Sequence, residues 1–498
     1  MNRNYKSGEN RLQSTLFPKS LDEYVAHNNT VRAIDAYVDT LDLNHLGFKN
    51  TQYTSTSGQP PYGPADLLKL YLYGYINSVR SSRKLERETS RNIEVMWLLG
   101  NLQPCYKTIA NFRKDNPSSL KASNRDFVLL CRELNLFGAK KVAIDGSYFR
   151  GNASKASIYT PDKLEKQLKK LDKQIEAYQE ELDTNDKHDT QAGLTNESED
   201  PQLDKKIKSL KEKQATKQQQ IDNLSNSDET QLSTTDPDAR LLKKPGQLVS
   251  GYNVQSVVDD KHQLIVESEV TNDGNDFHQL YVMAEKAKKT LEVKKIIALA
   301  DGGYYEGINL KLCENDHITA YVPVPDKSKS VRKQGRFTRD AFTYDEKLKV
   351  YLCPQGKTLK QKGKPYEQNG KVHIRYASKI TECKNCPVKK NCLSKKAKRR
   401  EVHRWEHESV LDRHHERMQD TREEMRQRAA LVEHPFGTLK DRAGYTYHFL
   451  VRGFEKVRGE WSIMVLAYNF TRVLNILGVK DFMDYCANRK QNLESMVI

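Results

Sequence analysis

Apolar and polar residues change their rhythm several times along this chain, and each rhythm predicts a different kind of element. From about residue 20 to 130 the spacing is helical. Leu67, Leu68, Leu70, Tyr71, Leu72, Tyr75 and Ile76 form a stripe wide enough for a buried face, with Pro64 and Ala65 in the first turn. Arg80-Ser-Ser-Arg-Lys-Leu-Glu starts a second helix and Pro104-Cys-Tyr-Lys-Thr-Ile-Ala-Asn-Phe-Arg-Lys-Asp a third, a spacing similar to a helix-turn-helix. Its cations, Arg80, Arg83, Lys84, Lys107, Arg113 and Lys114, are either DNA contacts or the solvated charges of a helical bundle.

From about 140 the pattern shifts to short β-branched runs: Val142 to Ile144, Tyr252-Asn-Val-Gln-Ser-Val-Val, Gln263-Leu-Ile-Val-Glu-Ser-Glu-Val, and Ile296 to Ala300. These predict strands of a mixed sheet. Asp273-Gly-Asn-Asp offers a turn and a helix cap, and Phe277 to Leu291 has the helical spacing to link the third strand to the fourth, as in a three-layer α/β core. Between the first two strands, Leu164, Leu168, Leu171, Ile175, Tyr178 and Leu182, then Leu203, Ile207, Leu210, Ile221 and Leu224, predict two helices packed as an antiparallel hairpin. The joining stretch from Asn185 to Pro201 is polar and reads as a flexible tip. Such a hairpin is either an arm for self-association or DNA contact, or a solvated insertion without chemistry.

Composition narrows the partners. Of the 498 residues only 37% are apolar, so extended polar insertions accompany the core. Lys and Arg number 82 against 66 Asp and Glu, a net charge of +16 that favours a polyanion, nucleic acid foremost. No run approaches the roughly 18 apolar residues of a membrane span, and the first residues lack a secretory apolar core, so the expectation is a cytoplasmic protein without a membrane partner.

Three carboxylates stand at positions that suit chemistry. Asp145 ends the run Lys-Lys-Val-Ala-Ile-Asp-Gly-Ser, Asp301 ends Ile-Ile-Ala-Leu-Ala-Asp-Gly-Gly, and Glu433 lies in the helix-like Arg-Ala-Ala-Leu-Val-Glu-His-Pro-Phe-Gly-Thr-Leu-Lys. Phosphodiester cleavage needs an activated water and stabilised charge on the attacking and leaving oxygens, which two Mg²⁺ ions about 3.5 to 4 Å apart provide. Hard anionic oxygens on strand ends suit Mg²⁺, or Mn²⁺ in its place. On this expectation Asp145 bridges both ions, Asp301 holds one and Glu433 completes the other. Asp-Gly is equally a turn former, so each aspartate alone is weak evidence. Seven helical steps return almost to the starting direction, so Lys440 and Arg426 share a face with Glu433, and a lysine there could hold a phosphate. Pro435 places Glu433 at a bend or in a first turn.

Cys353, Cys383, Cys386 and Cys392 are spaced to surround a structural Zn²⁺, which would give fold to a loop-rich basic segment bearing Lys395, Lys396, Lys398, Arg399 and Arg400. Unligated thiols or a redox pair are the alternatives. Cys105, Cys131, Cys313 and Cys486 read as ordinary residues.

With these residues the chain resembles the DDE transposases of bacterial insertion sequences, in the branch related to the insertion-sequence four and eleven-eighty-two groups. Tyr62-Gly-Pro-Ala-Asp-Leu-Leu-Lys and Thr108-Ile-Ala-Asn-Phe-Arg are similar to the helical domain that precedes their catalytic core. The resemblance implies an α/β fold: an RNase H-like mixed sheet flanked by helices over 138–325 and 421–480, after a helical DNA-binding domain at 1–130. A coiled-coil-like insertion at 158–240 and a basic four-cysteine insertion at 326–420 interrupt it. It implies Asp145, Asp301 and Glu433 as the triad, and double-stranded DNA as partner, bound by a homodimer. The implied reaction is nicking at the element's ends, then attack of the freed 3′ hydroxyl on another strand. That group's signature places Tyr, Arg, Glu and Lys with two, three and six residues between them. Here Glu433 and Lys440 keep the last spacing, four residues separate Arg428 from Glu433, and Met425 stands at the tyrosine position. Arg426 then competes with Arg428 for the auxiliary phosphate-binding role. A sequence-specific DNA-binding protein with structural carboxylates, or a nuclease without strand transfer, are the alternatives.

Overall fold

The computed structural model describes residues 19–52, 60–191, 201–227, 229–244, 247–326, 328–444 and 447–496. Five helices position the site: α1 (Pro64–Ile76), α2 (Pro117–Glu133), α3 (Gln279–Thr290), α4 (Arg422–Arg442) and α5 (Phe454–Leu477). A helix apolar on all sides is stable only when covered on all sides. The run from Trp461 to Phe470 imposes this on α5, which is buried through most of its length between α1 and α2 on one side and the sheet on the other. Gly459 permits the approach of α2, since a Cβ there would lie 2.7 Å from the Pro117 Cα.

The sheet contains β1 (Lys141–Arg150), β2 (Gln247–Asp259), β3 (Ile265–Thr271), β4 (Ile296–Leu299) and β5 (Ile318–Tyr321). Its order is β3-β2-β1-β4-β5, with β1, β2 and β3 antiparallel and with β4 and β5 parallel to β1. A ribbon, Arg240–Lys244, folds onto the first half of β2 and has no counterpart in the sequence reading. Near-continuous apolar stretches in β1 and β4 reflect a sheet covered on both faces, by α3 on one side and by α4 and α5 on the other.

Helices before residue 130 and the sheet share one apolar core, and a buried ion cluster ties them. Glu460 on α5 is fully buried and accepts from Tyr75 at 2.9 Å, from Arg80 at 2.8 Å and from the backbone N–H groups of Leu450 at 2.8 Å and Val451 at 3.3 Å, with Arg113 at 3.6 Å. This corrects the assignment of Arg80 and Arg113 as DNA contacts. Both guanidiniums are buried and engaged with Glu460, and Arg80 also donates to the carbonyls of Ala443 and His448, each at 2.7 Å.

Helices Pro161–Gln191 and Pro201–Ser225 pack antiparallel, as the contacts Gln214 to Asp172 and Lys206 over Tyr178 require. The first helix runs on through 185–191, so that part of the expected tip is helical, and 192–200 lies outside the described residues. The cysteine-bearing segment differs more from expectation. It forms a second, antiparallel sheet between Thr343 and Trp405 with its own core of Phe342, Tyr351, Leu359, Tyr376 and Val402, so it is not loop-rich and does not rely on metal alone for burial. Among the described residues no single helix is long and apolar enough to cross a membrane.

Candidate active site

The expected strand end at Asp145 is instead mid-strand. β1 continues to Arg150, and Asp145 lies opposite Ser256 of β2 while Gly146 lies opposite Gln255. On the other side β4 pairs with β1 only as far as Leu299 opposite Ala143, so the two strands part just before Asp145 and Asp301. The parting lies at the carboxyl end of parallel strands, where α/β sheets commonly place their chemistry. Asp301 caps the short turn Gly302–Tyr304, accepting from the Gly303 N–H at 2.7 Å. Burial pushes the Asp145 carboxyl up to about 6, Arg428 opposes the rise, and the nearby charges of Asp301 and Asp276 add to it.

Asp276 is the residue that sequence reading passed over. It closes the Asp273-Gly-Asn-Asp turn, and its carboxylate accepts from Asn253 at 2.8 Å and from Gln255 at 2.6 Å. Asn253 and Gln255 are fully buried on β2, and Tyr304, also fully buried, donates to the Gln255 carbonyl oxygen. Burial raises the Tyr304 hydroxyl well above its usual range, and Asp276, Asp145 and Asp301 each push it further. Burial likewise raises the Asp276 carboxyl, against the two amide hydrogen bonds. Gly146 is required for clearance rather than for a turn. A Cβ there would meet Gln255 Nε2 at 2.4 Å and Asp276 Oδ1 at 2.9 Å. The available signal was two amides, Asn253 and Gln255, at alternate positions on one face of an otherwise apolar strand; buried polar groups need partners.

Helix α4 lies across β1 with Leu431, Val432, Pro435, Phe436 and Leu439 packed inward. Its inward face carries Arg428 to 3.9 Å from Asp145, with the arginine side chain 19% exposed. Arg426, 82% exposed and 3.6 Å from Glu423, points to solvent, which corrects its candidacy as a substitute for Arg428. Pro435 lies inside the helix, so Glu433 is neither in a first turn nor beyond a break. At about 100° per residue Glu433 stands some 140° round the helix from Arg428. It is exposed and makes no hydrogen bond or ion pair with the described residues. Lys440 lies over the rings of Phe436 and Tyr447, at 5.7 and 5.8 Å. The structure thus brings Asp145, Asp301 and Arg428 together and leaves Glu433 on the flank. No group of three or more His, Cys, Asp or Glu among the described residues is arranged to hold a metal ion.

The four cysteines gather at one end of the second sheet. None is in a disulfide, and burial raises the Cys392 thiol with Cys383, Cys386 and Cys353 adding to the rise. Beside them is a basic cavity of about 670 Å³, lined by Arg336, Lys362, Lys398, Arg399 and Arg400 among others. Of the amino-terminal cations, Arg83, Lys84, Lys107 and Lys114 are exposed, and Arg83 stacks 4.9 Å above the Tyr106 ring.

Asp145 and Asp301 thus stand at a parting of two strands, with the Arg428 guanidinium 3.9 Å from Asp145. Residues 352–474 match the family described as "Transposase DDE domain", and residues 19–115 match "Transposase domain (DUF772)". These two stretches are therefore similar to domains of transposases. The first match includes Glu433, Lys440 and the four cysteines, while Asp145 and Asp301 precede it. No curated protein matches the chain. A solved structure, "Cryo-EM structure of piggyBac transposase synaptic complex with hairpin DNA (SNHP)", aligns over 94% of this chain and 82% of that chain at 9% identity and a TM-score of 0.30.

Proposed function

We propose that Asp145, Asp301 and Glu433 carry out cleavage and strand transfer of DNA at the ends of an insertion sequence, on an RNase H-like core. The observation that carries this reading is the position of Asp145 and Asp301 on either side of the gap between β1 and β4, with Arg428 at 3.9 Å. The strand order, three antiparallel strands followed by two parallel to the first, supports the fold assignment. Asp145 and Asp301 are two hard oxygen donors of the kind that suits Mg²⁺ or Mn²⁺, and a dication would relieve their mutual repulsion, while the described residues bring no third carboxylate into an arrangement that holds a metal. Such an ion, held by Asp145 and Asp301 with Glu433 as third carboxylate, would polarise the phosphate and acidify a bound water.

The chain's own residues do the rest. Arg428 presents N–H donors that can turn from Asp145 to a non-bridging phosphate oxygen, and Lys440, on the flank that bears Glu433, supplies a second cation. Water attacks the phosphorus, the P–O3′ bond breaks, and the 3′ oxygen leaves as a hydroxyl beside a 5′ phosphate; that hydroxyl then gives up its proton and attacks a phosphorus of the second strand, forming a new P–O3′ bond as the 3′ oxygen of that strand leaves as a hydroxyl. Arg83, Lys84, Lys107 and Lys114 bind the element's ends, Cys353, Cys383, Cys386 and Cys392 are the thiolates that would hold a structural Zn²⁺ if drawn together around it, and a homodimer brings two ends together. The helical hairpin and the cysteine-bearing sheet are insertions in the core.

Asp145→Ala and Glu433→Gln are each expected to abolish Mg²⁺-dependent nicking of end DNA while DNA binding persists. Unchanged nicking in either variant removes that residue from the triad. A strand-transfer assay separates this reading from a nuclease, for which cut ends accumulate without joined product.

A further inference from the structure

The edge of β1 that β4 leaves just before Asp145 gains a new neighbour further along the strand. β2 pairs with one edge of β1 from Val142 to Arg150, and β4 pairs with the other only as far as Leu299 opposite Ala143. At Arg150 that second edge meets His448 in a parallel bridge: the Phe449 N–H donates to the Arg150 carbonyl at 2.8 Å, and the Arg150 N–H to the Tyr447 carbonyl at 3.3 Å. Between 143 and 150 no described strand covers this edge. Asp145 stands near one end of the uncovered stretch and Arg150 at the other, about 16 Å apart at roughly 3.3 Å per residue.

A cavity of about 560 Å³ opens at the Arg150 end, and its charged lining is Arg150, Lys155 and Arg452, with His448 beside them. No carboxylate lines it. Arg150, Lys155 and Arg452 make no ion pair with any described residue. Arg452 is oriented by its Nε–H, which donates to the Asn152 carbonyl at 3.1 Å. The loop that leads to Lys155 is tied to β2, since the Gly151 N–H donates to the Ser250 carbonyl at 2.9 Å and the Ser250 hydroxyl to the Ala153 carbonyl at 3.0 Å. Burial, then Arg80 and Arg150, hold the His448 imidazole below its usual range against the pull of Glu460, as a positive local field requires. Cations that converge on a held frame without a counter-ion suit a phosphate, whose several acceptor oxygens can engage guanidinium and ammonium groups together.

We propose that this cavity holds a backbone phosphate of the DNA whose scissile phosphate lies at Asp145, so that the uncovered edge of β1 is the path of the DNA between the two points. The proposal rests on the reading of Asp145 given above, and it adds a contact on the core to those of the amino-terminal helices. A few phosphates separate the two points, because one strand of a duplex carries a phosphate about every 3.4 Å of its axis.

The test uses the full chain and a duplex made from the DNA that flanks its gene, with affinity measured by fluorescence anisotropy over a range of salt. The double variant Lys155→Gln, Arg452→Gln changes two exposed side chains. It is expected to bind more weakly and to lower the slope of log affinity against log salt by about 1, the loss of one phosphate contact. Lys480→Gln, at an exposed lysine past the other end of α5, is expected to keep the parental slope. A parental slope in the double variant overturns the proposal, as does an equal fall in Lys480→Gln. Titration with inorganic phosphate separates a strand contact from a free-anion site: phosphate binding that disappears in the double variant while the DNA slope stays parental also overturns it. Mg²⁺-dependent nicking distinguishes the two readings. If the parent nicks and the double variant keeps the parental slope, only the role of the cavity fails; if the slope falls but the parent does not nick, the phosphate contact stands and Asp145 is removed from the path.

Discussion

Asp145→Asn should make the metal-free protein more stable at neutral pH. The carboxyl has a folded value of about 6 against an ordinary 3.8, because burial and the charges of Asp301 and Asp276 outweigh the attraction of Arg428. A carboxyl raised in the folded state favours folding only while protonated. Its contribution is intact below pH 3.8, declines between 3.8 and about 6, and is absent above. At about 1.4 kcal/mol per pH decade the handicap at pH 8 is about 3 kcal/mol. An unfolding entropy of about 2.1 cal/mol/K per residue over 498 residues converts this to a shift of about 3 °C. The assay is calorimetry of parent and variant in EDTA at pH 8, with urea unfolding monitored down to pH 3.5. The variant should melt higher at pH 8, and the difference should vanish at the acid end. Saturating Mn²⁺ should reverse the order, since only the parent gains from binding. A variant that melts lower than the parent at pH 8 in EDTA would refute the reasoning, because Asp145 would then be a stabilising partner rather than a strained one.

The remaining predictions concern other parts of the same architecture. Glu460→Gln leaves Arg80 and Arg113 buried without a counter-charge and should cost about 3–5 kcal/mol in urea unfolding, the usual penalty for breaking a buried pair; a loss under 1 kcal/mol would show the cluster to be hydrated. Gly459→Ala drives a methyl into Pro117 and should cost about 1–3 kcal/mol, with no loss meaning that α5 and α2 separate easily. Arg428→Gln removes the cation that lowers the Asp145 carboxyl, so nicking should fall about 100-fold and its acid limb should move to higher pH; an unmoved limb would place Arg428 outside the site. Metal analysis should find zinc in the parent and none in the Cys383→Ser, Cys386→Ser double variant, which should keep its second sheet by circular dichroism because Phe342, Tyr351, Leu359, Tyr376 and Val402 still pack.

Local pattern was sufficient for the helices before residue 130 and for the strands that lead to Asp145 and Asp301, but not for the Arg240–Lys244 ribbon or the second sheet. Helical stripes such as Leu67 to Ile76, the β-branched runs, and aspartates following apolar strands are set by backbone periodicity and by which side chains exclude water, and these are properties of neighbours in sequence. The same logic failed where the deciding partner lay far away. Arg80 and Arg113 look like surface cations until Glu460, more than three hundred residues on, draws them inward. The strand at Asp145 looks finished at Asp-Gly, because nothing nearby reveals that β2 continues the pairing to Arg150 or that Gly146 makes room for Gln255. Asp276 reads as a turn former until β2 supplies its amides. Arg426 and Arg428 differ in sequence by two positions, and only the packing of α4 on the sheet sends one to solvent and the other to Asp145. Hydrophobic rhythm is written locally, whereas the desolvation and charge balance of a site depend on which distant groups the fold places within a few ångströms.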